Sequence, residues 1–158
     1  MARKFKIVAV GGTFDEFHKG HRFLLMKAFE IADHVQIGLS SDRFVNKLSK
    51  PHLTATYDQR LNDLKNFLRK ANLMERATIV PLDDPFGVTL SNGGLEAIVV
   101  SRETEPMALK INQKRAALGR NPLEIVAIDM IASENHFPIS TTRIRSGEID
   151  REGHLLRT

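Results

Sequence analysis

Five short apolar runs, at 5–10, 34–39, 77–80, 97–100 and 123–128, are separated by stretches long enough to hold a helix. This alternation does most to narrow the folds open to the chain. The runs are nearly unbroken rather than alternately polar and apolar, as strands buried on both faces are. Between them, 22–32, 57–71 and 105–118 carry apolar residues at helical spacing, with a shorter helix-like piece around 88–90. The pattern predicts an α/β fold with a doubly wound parallel sheet. In such sheets ligands bind beyond the carboxyl ends of the strands, where the strand order reverses.

The helical stretches sort their residues into faces. In 22–32, Phe23, Leu24, Met26, Ala28, Phe29, Ile31 and Ala32 make a face wide enough to lie on a sheet. In 57–71, Leu61, Leu64 and Leu68 recur at helical spacing and leave Arg60, Lys65 and Arg69 for other faces, so Arg60 is expected to be solvated. Lys110, Lys114, Arg115 and Arg120 form a basic patch around Ile111 and Leu118; a solvated face is expected, with Arg115 the member a nucleotide would meet. No repeat, low-complexity segment or Pro/Gly-rich linker divides the 158 residues. One domain over 1–158 is expected, with a polar tail at 148–158 that frays.

Residues 11–21, Gly-Gly-Thr-Phe-Asp-Glu-Phe-His-Lys-Gly-His, join the first apolar run to the first helical stretch. Gly11 and Gly12 let the backbone leave a strand through angles that a Cβ resists. His18 and His21 share one face of the helix's first turn, where unpaired N–H groups and the dipole favour an anion. Gly20 between them leaves room for a ligand at the backbone. The spacing predicts a phosphate site with two imidazole donors. A metal site from Asp15, His18 and His21 is the rival, but the His-x-x-x-His spacing of helical zinc sites is absent and there are no cysteines.

Thr13-Phe14-Asp15 followed by His18-Lys19-Gly20-His21 resembles the Thr-x-x-x-x-His-x-Gly-His signature of the nucleotidyltransferase superfamily, which includes phosphopantetheine adenylyltransferases and cytidylyltransferases. Residues 139–145, Ile-Ser-Thr-Thr-Arg-Ile-Arg, resemble its second signature, Ile-Ser-Ser/Thr-Thr-x-Ile-Arg. The wording around them, with Val-Val-Ser-Arg-Glu-Thr at 99–104, is most similar to the archaeal and eukaryotic type of phosphopantetheine adenylyltransferase, over roughly 5–147. The resemblance implies a Rossmann-like nucleotidyltransferase domain that reversibly moves AMP from ATP to 4′-phosphopantetheine, giving dephospho-coenzyme A and pyrophosphate, with Mg2+ accompanying ATP. Another adenylyltransferase or a cytidylyltransferase acting on a phosphorylated metabolite is the alternative, as is a non-catalytic nucleotide-binding regulator.

The same resemblance sets His18 and His21 against the phosphates of ATP as catalytic residues, with Thr13 where the two substrates meet and Gly12, Phe14 and Gly20 of the turn among the nucleotide- and phosphate-binding residues. The helix N-terminus disfavours an imidazolium and bound phosphate favours it, so both charge states stay open. Ser140 suits an N-cap, and Thr141 and Arg145 stand one turn apart, which brings Thr142, the hydroxyls and a guanidinium around the β- and γ-phosphates. In the connection after the second run, Asp42, Phe44, Val45 and Leu48 suggest a short helical turn. Lys47 on that turn is favoured as the phosphate-contacting lysine over Lys50, which Pro51 holds extended. The bacterial Arg-Gly-Leu-Arg segment is replaced by Ser101-Arg102-Glu103-Thr104, leaving Arg102 a phosphate candidate that Glu103 would neutralise in a surface pair. These departures carry no bacterial hexamer over to this chain.

Charge agrees with small phosphorylated partners. The net charge of +4 favours anions. Nine of the aromatics are Phe and sit mostly within apolar runs rather than among basic residues, which speaks against nucleic acid. No run approaches the roughly 20 apolar residues that span a bilayer. With no cysteine and no signal-peptide pattern, a cytoplasmic protein that binds no membrane is expected.

Overall fold

A computed structural model describes residues 3–47, 54–90, 94–129, 144, 150–152 and 154. The elements run β1 (Phe5–Gly12), α1 (Lys19–Ile31), β2 (Ala32–Ser40), α2 (Asp42–Lys47), α3 (Tyr57–Lys70), β3 (Ala77–Leu82), β4 (Ala97–Ser101), α4 (Glu105–Ala117) and β5 (Glu124–Ile128). The strands form one parallel sheet in the order β3-β2-β1-β4-β5. Strand order therefore reverses between β1 and β4, and their carboxyl ends flank the crevice where ligands bind in doubly wound sheets.

Alternation within each strand divides the core between the sheet's two faces. Val8, Val10, Val35, Ile37, Leu39 and Val99 meet Leu25 and Phe29 of α1 and Leu64 and Leu68 of α3. On the other face, Ala9, Ile98 and Val100 meet Ala108 and Ile111 of α4. Leu25, Leu64 and Leu68 are wholly buried, and truncating any one to Ala removes about 2–5 kcal/mol.

The helix-like piece near 88–90 is a short 3-10 turn, Gly87–Leu90. Asp84 starts it, its carboxylate accepting from Phe86 N at 2.8 Å and Gly87 N at 2.9 Å. Gly87 takes φ +52°, a left-handed angle that suits glycine.

Two arginines depart from the expected solvated positions. On α3 the buried stripe is Arg60, Leu64 and Leu68, successive residues four apart, and Arg60 is 1% exposed. On α4 it is Ala108, Ile111 and Arg115. Arg115 donates to Asn121 O at 2.7 Å and to Thr89 O, which ties α4 to the loops beside it instead of reaching a nucleotide. Both stay buried because backbone carbonyls, themselves in need of donors, satisfy the guanidinium.

Candidate active site

The first strand extends through Gly11 and Gly12 before the chain turns. Neither glycine takes a positive φ; the left-handed residues are Phe14 (φ 53°) and Glu16 (φ 50°). The glycines instead serve close approach. A Cβ on Gly11 would lie 3.3 Å from Leu82 Cδ1, and one on Gly12 would lie 3.4 Å from the Phe14 ring. Left-handed non-glycine residues cost on the order of 1–3 kcal/mol each, so the surroundings must hold them. Phe14 is buried against Phe17 and His21, Asp15 Oδ1 accepts from Ala55 N at 3.1 Å, and Glu16 pairs with Arg151 at 3.1 Å.

His18 is the N-cap of α1, in extended backbone. Its Nδ1 accepts from Gly20 N at 3.1 Å and His21 N at 3.4 Å, while His21 Nδ1 accepts from His18 N at 3.1 Å. This is a capping box built from two imidazoles in place of the usual hydroxyl and carboxylate. The rings stack at 3.6 Å between centroids. A Cβ on Gly20 would come within 2.9 Å of His18 Cε1, so glycine here makes way for the capping ring rather than for a ligand.

The cap also decides where the protons sit. An Nδ1 that accepts a backbone N–H carries no hydrogen, so each neutral ring has its N–H at Nε2. His18 is 5% exposed. Burial, and then the charges of Arg22 and Arg151, lower its pKa to about 4. His18 is thus a neutral donor through the physiological range. Arg151 O accepts from Lys19 N at 2.8 Å, and Arg22 pairs with Glu152. The first amides of α1 are therefore already engaged, by His18 and by the 150–152 segment. An anion arriving here meets imidazole edges, not the free backbone N–H groups that the spacing predicts.

Arg60 joins the turn to its neighbours. Its Nη1 donates to Thr13 O at 3.0 Å and Ser40 O at 2.7 Å, its Nε to Ala55 O at 2.9 Å, and its Nη2 to Asp42 Oδ1 at 3.1 Å. Sequence reasoning missed this residue. The signal was present, because position 60 lies four before Leu64 and eight before Leu68, on the buried stripe itself.

The other expected site residues are more dispersed. Lys47 is exposed at the end of α2, whose residues Asp42–Lys47 form the short helical turn that the sequence suggests. Arg102, just past β4, meets Asp129 at 3.3 Å and Glu105 at 3.5 Å, so these carboxylates provide the neutralisation expected of Glu103. Ser140, Thr141, Thr142, Arg145 and Lys50 lie outside the described residues.

On the opposite face, a small cleft of about 50 Å³ is lined by Gly11, Gln36, Gly38, Leu82, Phe86 and Ile111, among others. Gln36 Oε1 is buried with no hydrogen-bond partner among the described residues. The walls are mainly apolar.

The Cytidylyltransferase-like family model matches residues 9–147. A phosphopantetheine adenylyltransferase of Methanothermobacter thermautotrophicus is 46% identical over 157 residues, covering 99% of this chain and 93% of that protein. One from Pyrococcus abyssi is 44% identical over 154 residues, covering 98% of each. A solved structure of a protein of unknown function from Archaeoglobus fulgidus superposes with a TM-score of 0.69 at 35% identity, covering 78% of this chain and 98% of that one. The chain belongs to the cytidylyltransferase-like nucleotidyltransferases and, within them, to the family of the archaeal phosphopantetheine adenylyltransferases. It is a nucleotidyltransferase with a Rossmann-like fold.

Proposed function

We infer that the chain reversibly transfers AMP from ATP to 4′-phosphopantetheine, giving dephospho-coenzyme A and pyrophosphate, a step of coenzyme A synthesis. The observation that carries this reading is the double imidazole cap. It leaves two stacked rings, each bonded to backbone through Nδ1, with Nε2–H as the donor edge. An oxygen of the acceptor phosphate attacks the α-phosphorus of ATP. The bond from that phosphorus to the β-bridging oxygen breaks, and pyrophosphate leaves with the electron pair. A phosphomonoester has a second pKa of about 6, so the attacking oxygen is already ionised at neutral pH and needs no strong base. What remains is to position two polyanions and to stabilise charge at phosphorus.

In this reading His18 and His21 donate Nε2–H to ATP phosphate oxygens, and Gly12, Thr13, Phe14 and Gly20 shape the turn where the substrates meet. Lys47 reaches the α-phosphate. Arg102, Ser140, Thr141, Thr142 and Arg145 take the remaining phosphates. The cleft beside Gln36 suits the pantetheine arm, whose methyl groups would meet its mainly apolar walls.

Adenylyl transfer from ATP generally uses a divalent cation, and Mg2+ is the expected one. The carboxylates of the turn are engaged, Asp15 by Ala55 N and Glu16 by Arg151, while the imidazoles offer N–H donors. Such a donor set fits phosphates that bring their ion with them, held mostly by phosphate and water. When bound, the ion neutralises phosphate charge. The substrates are cytoplasmic metabolites, and we place the chain there.

Pyrophosphate release from purified protein, with ATP or CTP against a panel of phosphorylated acceptors, tests the assignment. ATP with 4′-phosphopantetheine should turn over fastest. Turnover with CTP or another acceptor, and none with this pair, would replace it by one of the alternative activities. Binding of nucleotide without turnover on any acceptor would leave a regulator.

A further inference from the structure

We propose that Arg60 is a positioning residue for the transfer reaction, its guanidinium holding Thr13 of the histidine turn in register with α2, and hence with Lys47. The inference rests on the reading that phosphates lie between the turn and Lys47. Arg60 touches no substrate in it.

The geometry points to this role through the choice of partners. The four acceptors come from four separate places: Thr13 O in the turn, Ser40 O at the end of β2, Asp42 Oδ1 at the start of α2, and Ala55 O just before α3. Ala55 closes a loop back to the turn, since its N–H donates to Asp15 Oδ1 at 3.1 Å. Asp42 Oδ1 also accepts from Tyr57 N at 2.8 Å, which fixes the carboxylate that fixes Arg60. Thr13 and Ser40 follow or end adjacent parallel strands at their carboxyl ends, the rim where a ligand sits. Thr13 also precedes left-handed Phe14, so its carbonyl orientation sets the direction in which the strained turn leaves the strand.

A residue needed only to pack beside Leu64 and Leu68 would be apolar, because burying a guanidinium costs free energy unless its donors are matched. Here Nε, Nη1 and Nη2 all find acceptors, four in total. Lysine cannot reproduce this, since its three donors radiate from a single atom while the fork spreads over several ångströms. Arg60→Lys keeps charge, helix propensity and much of the volume, yet releases some of the four segments.

The test is a double-mutant cycle between Arg60→Lys and Lys47→Ala, reading kcat and the ATP dissociation constant separately. Arg60→Lys should lower kcat about tenfold or more, as expected of a small misplacement, with ATP affinity within about threefold. The double variant should be little slower than the slower single, because Lys47 contributes only when it is held in place. Asp42→Ala provides a second route if Arg60→Lys does not fold. Its side chain is 58% exposed, so it frees α2 while Arg60 stays on the backbone carbonyls. It should also lower kcat and couple to Lys47→Ala. A folded Arg60→Lys or Asp42→Ala with wild-type kcat, or losses that simply multiply with that of Lys47→Ala, would overturn the proposal. Wild-type turnover in Lys47→Ala itself would instead sink the reading of Lys47, and the link to Arg60 with it.

Discussion

The carboxyl ends of β1 and β4 flank the same crevice, but they hold their candidate side chains in opposite ways. After β1, His18 is 5% exposed and its imidazole is bound to the backbone of its own helix. After β4, the Arg102 side chain is 60% exposed and lies between the carboxylates of Glu105 and Asp129. The histidine pair is preorganised: backbone bonds at Nδ1 fix both rings before any substrate arrives. Arg102 has to exchange carboxylate for phosphate. On the function proposed above, the difference assigns electrostatic stabilisation to the rigid side and leaves the exposed side to tune affinity at small cost either way.

The largest effect should come from breaking the rigid side. His18→Ala or His21→Ala should lower kcat by about 10²–10³, as loss of one preorganised donor does. Helix capping and catalysis can be separated, because His18→Ser restores a good N-cap but offers no Nε2–H. Alanine at the cap should cost about 0.5–2 kcal/mol of stability and serine much less, while both lose turnover alike. If His18→Ser turns over like wild type, with its stability unchanged, the ring is a cap only, and the rigid side loses its catalytic claim.

A smaller and independent effect should follow from acid. Unfolded His18 takes up a proton near 6.5, whereas the folded ring does so only near 4, chiefly because it is buried. Between these values the unfolded chain binds more protons, so stability falls as pH falls from 6.5 to 4, with no contribution from this group above 6.5. The whole span corresponds to at most about 3 kcal/mol. Carboxylates titrate near the lower end as well, so the readout is the difference in urea midpoint between wild type and His18→Ser, followed from pH 7 to pH 4. The gap should move in favour of the variant as pH drops. A constant gap would mean that His18 is not held neutral by the fold.

Much of the rigid side was legible in the sequence, and the reason is physical. Unbroken apolar runs mark buried strands whatever their partners, so all five strands appear where the runs stand, with β1 and β3 each two residues longer, β2 three longer, β4 one longer and β5 one shorter. Two histidines beside a helix start imply rings on one face by spacing, and their rings stack at 3.6 Å between centroids. What escaped is set by backbone angle and long-range contact. Gly11 and Gly12 advertised positive φ, yet packing against Leu82 and Phe14 explains them, and the left-handed angles fall on Phe14 and Glu16. Arg60 carried the right period but the wrong chemistry for a core, because the carbonyls that satisfy it lie 5, 20 and 47 residues away in sequence. Arg102 reads in the sequence as a phosphate candidate or, alternatively, as a cation paired with Glu103, whereas its ion pairs are with Glu105 and Asp129. Its partners Glu105 and Asp129 could not be chosen over Glu103 without knowing that β5 lies beside β4.

The smallest effect concerns the loose side and sharpens the contrast. If Arg102 meets phosphate, it must first leave Asp129 and Glu105, and exposed pairs of this kind are worth about 0.2–1 kcal/mol each. Removing one competitor should therefore free the guanidinium at little structural cost. Glu105 sits in the first turn of α4, where its charge also favours the helix, so Asp129 gives the cleaner test. Asp129→Asn should tighten ATP binding by about two- to fivefold, the factor that about 0.4–1 kcal/mol supplies, with kcat unchanged. Arg102→Ala should weaken binding by a comparable factor and remove the response to Asp129→Asn. Both differences should shrink as salt is raised, because the groups are solvent-exposed and screened within a Debye length of about 8 Å at physiological ionic strength. Should Asp129→Asn leave the ATP dissociation constant untouched at low salt, the carboxylates are the lasting partners of Arg102, and the nucleotide is held from the β1 side of the crevice alone.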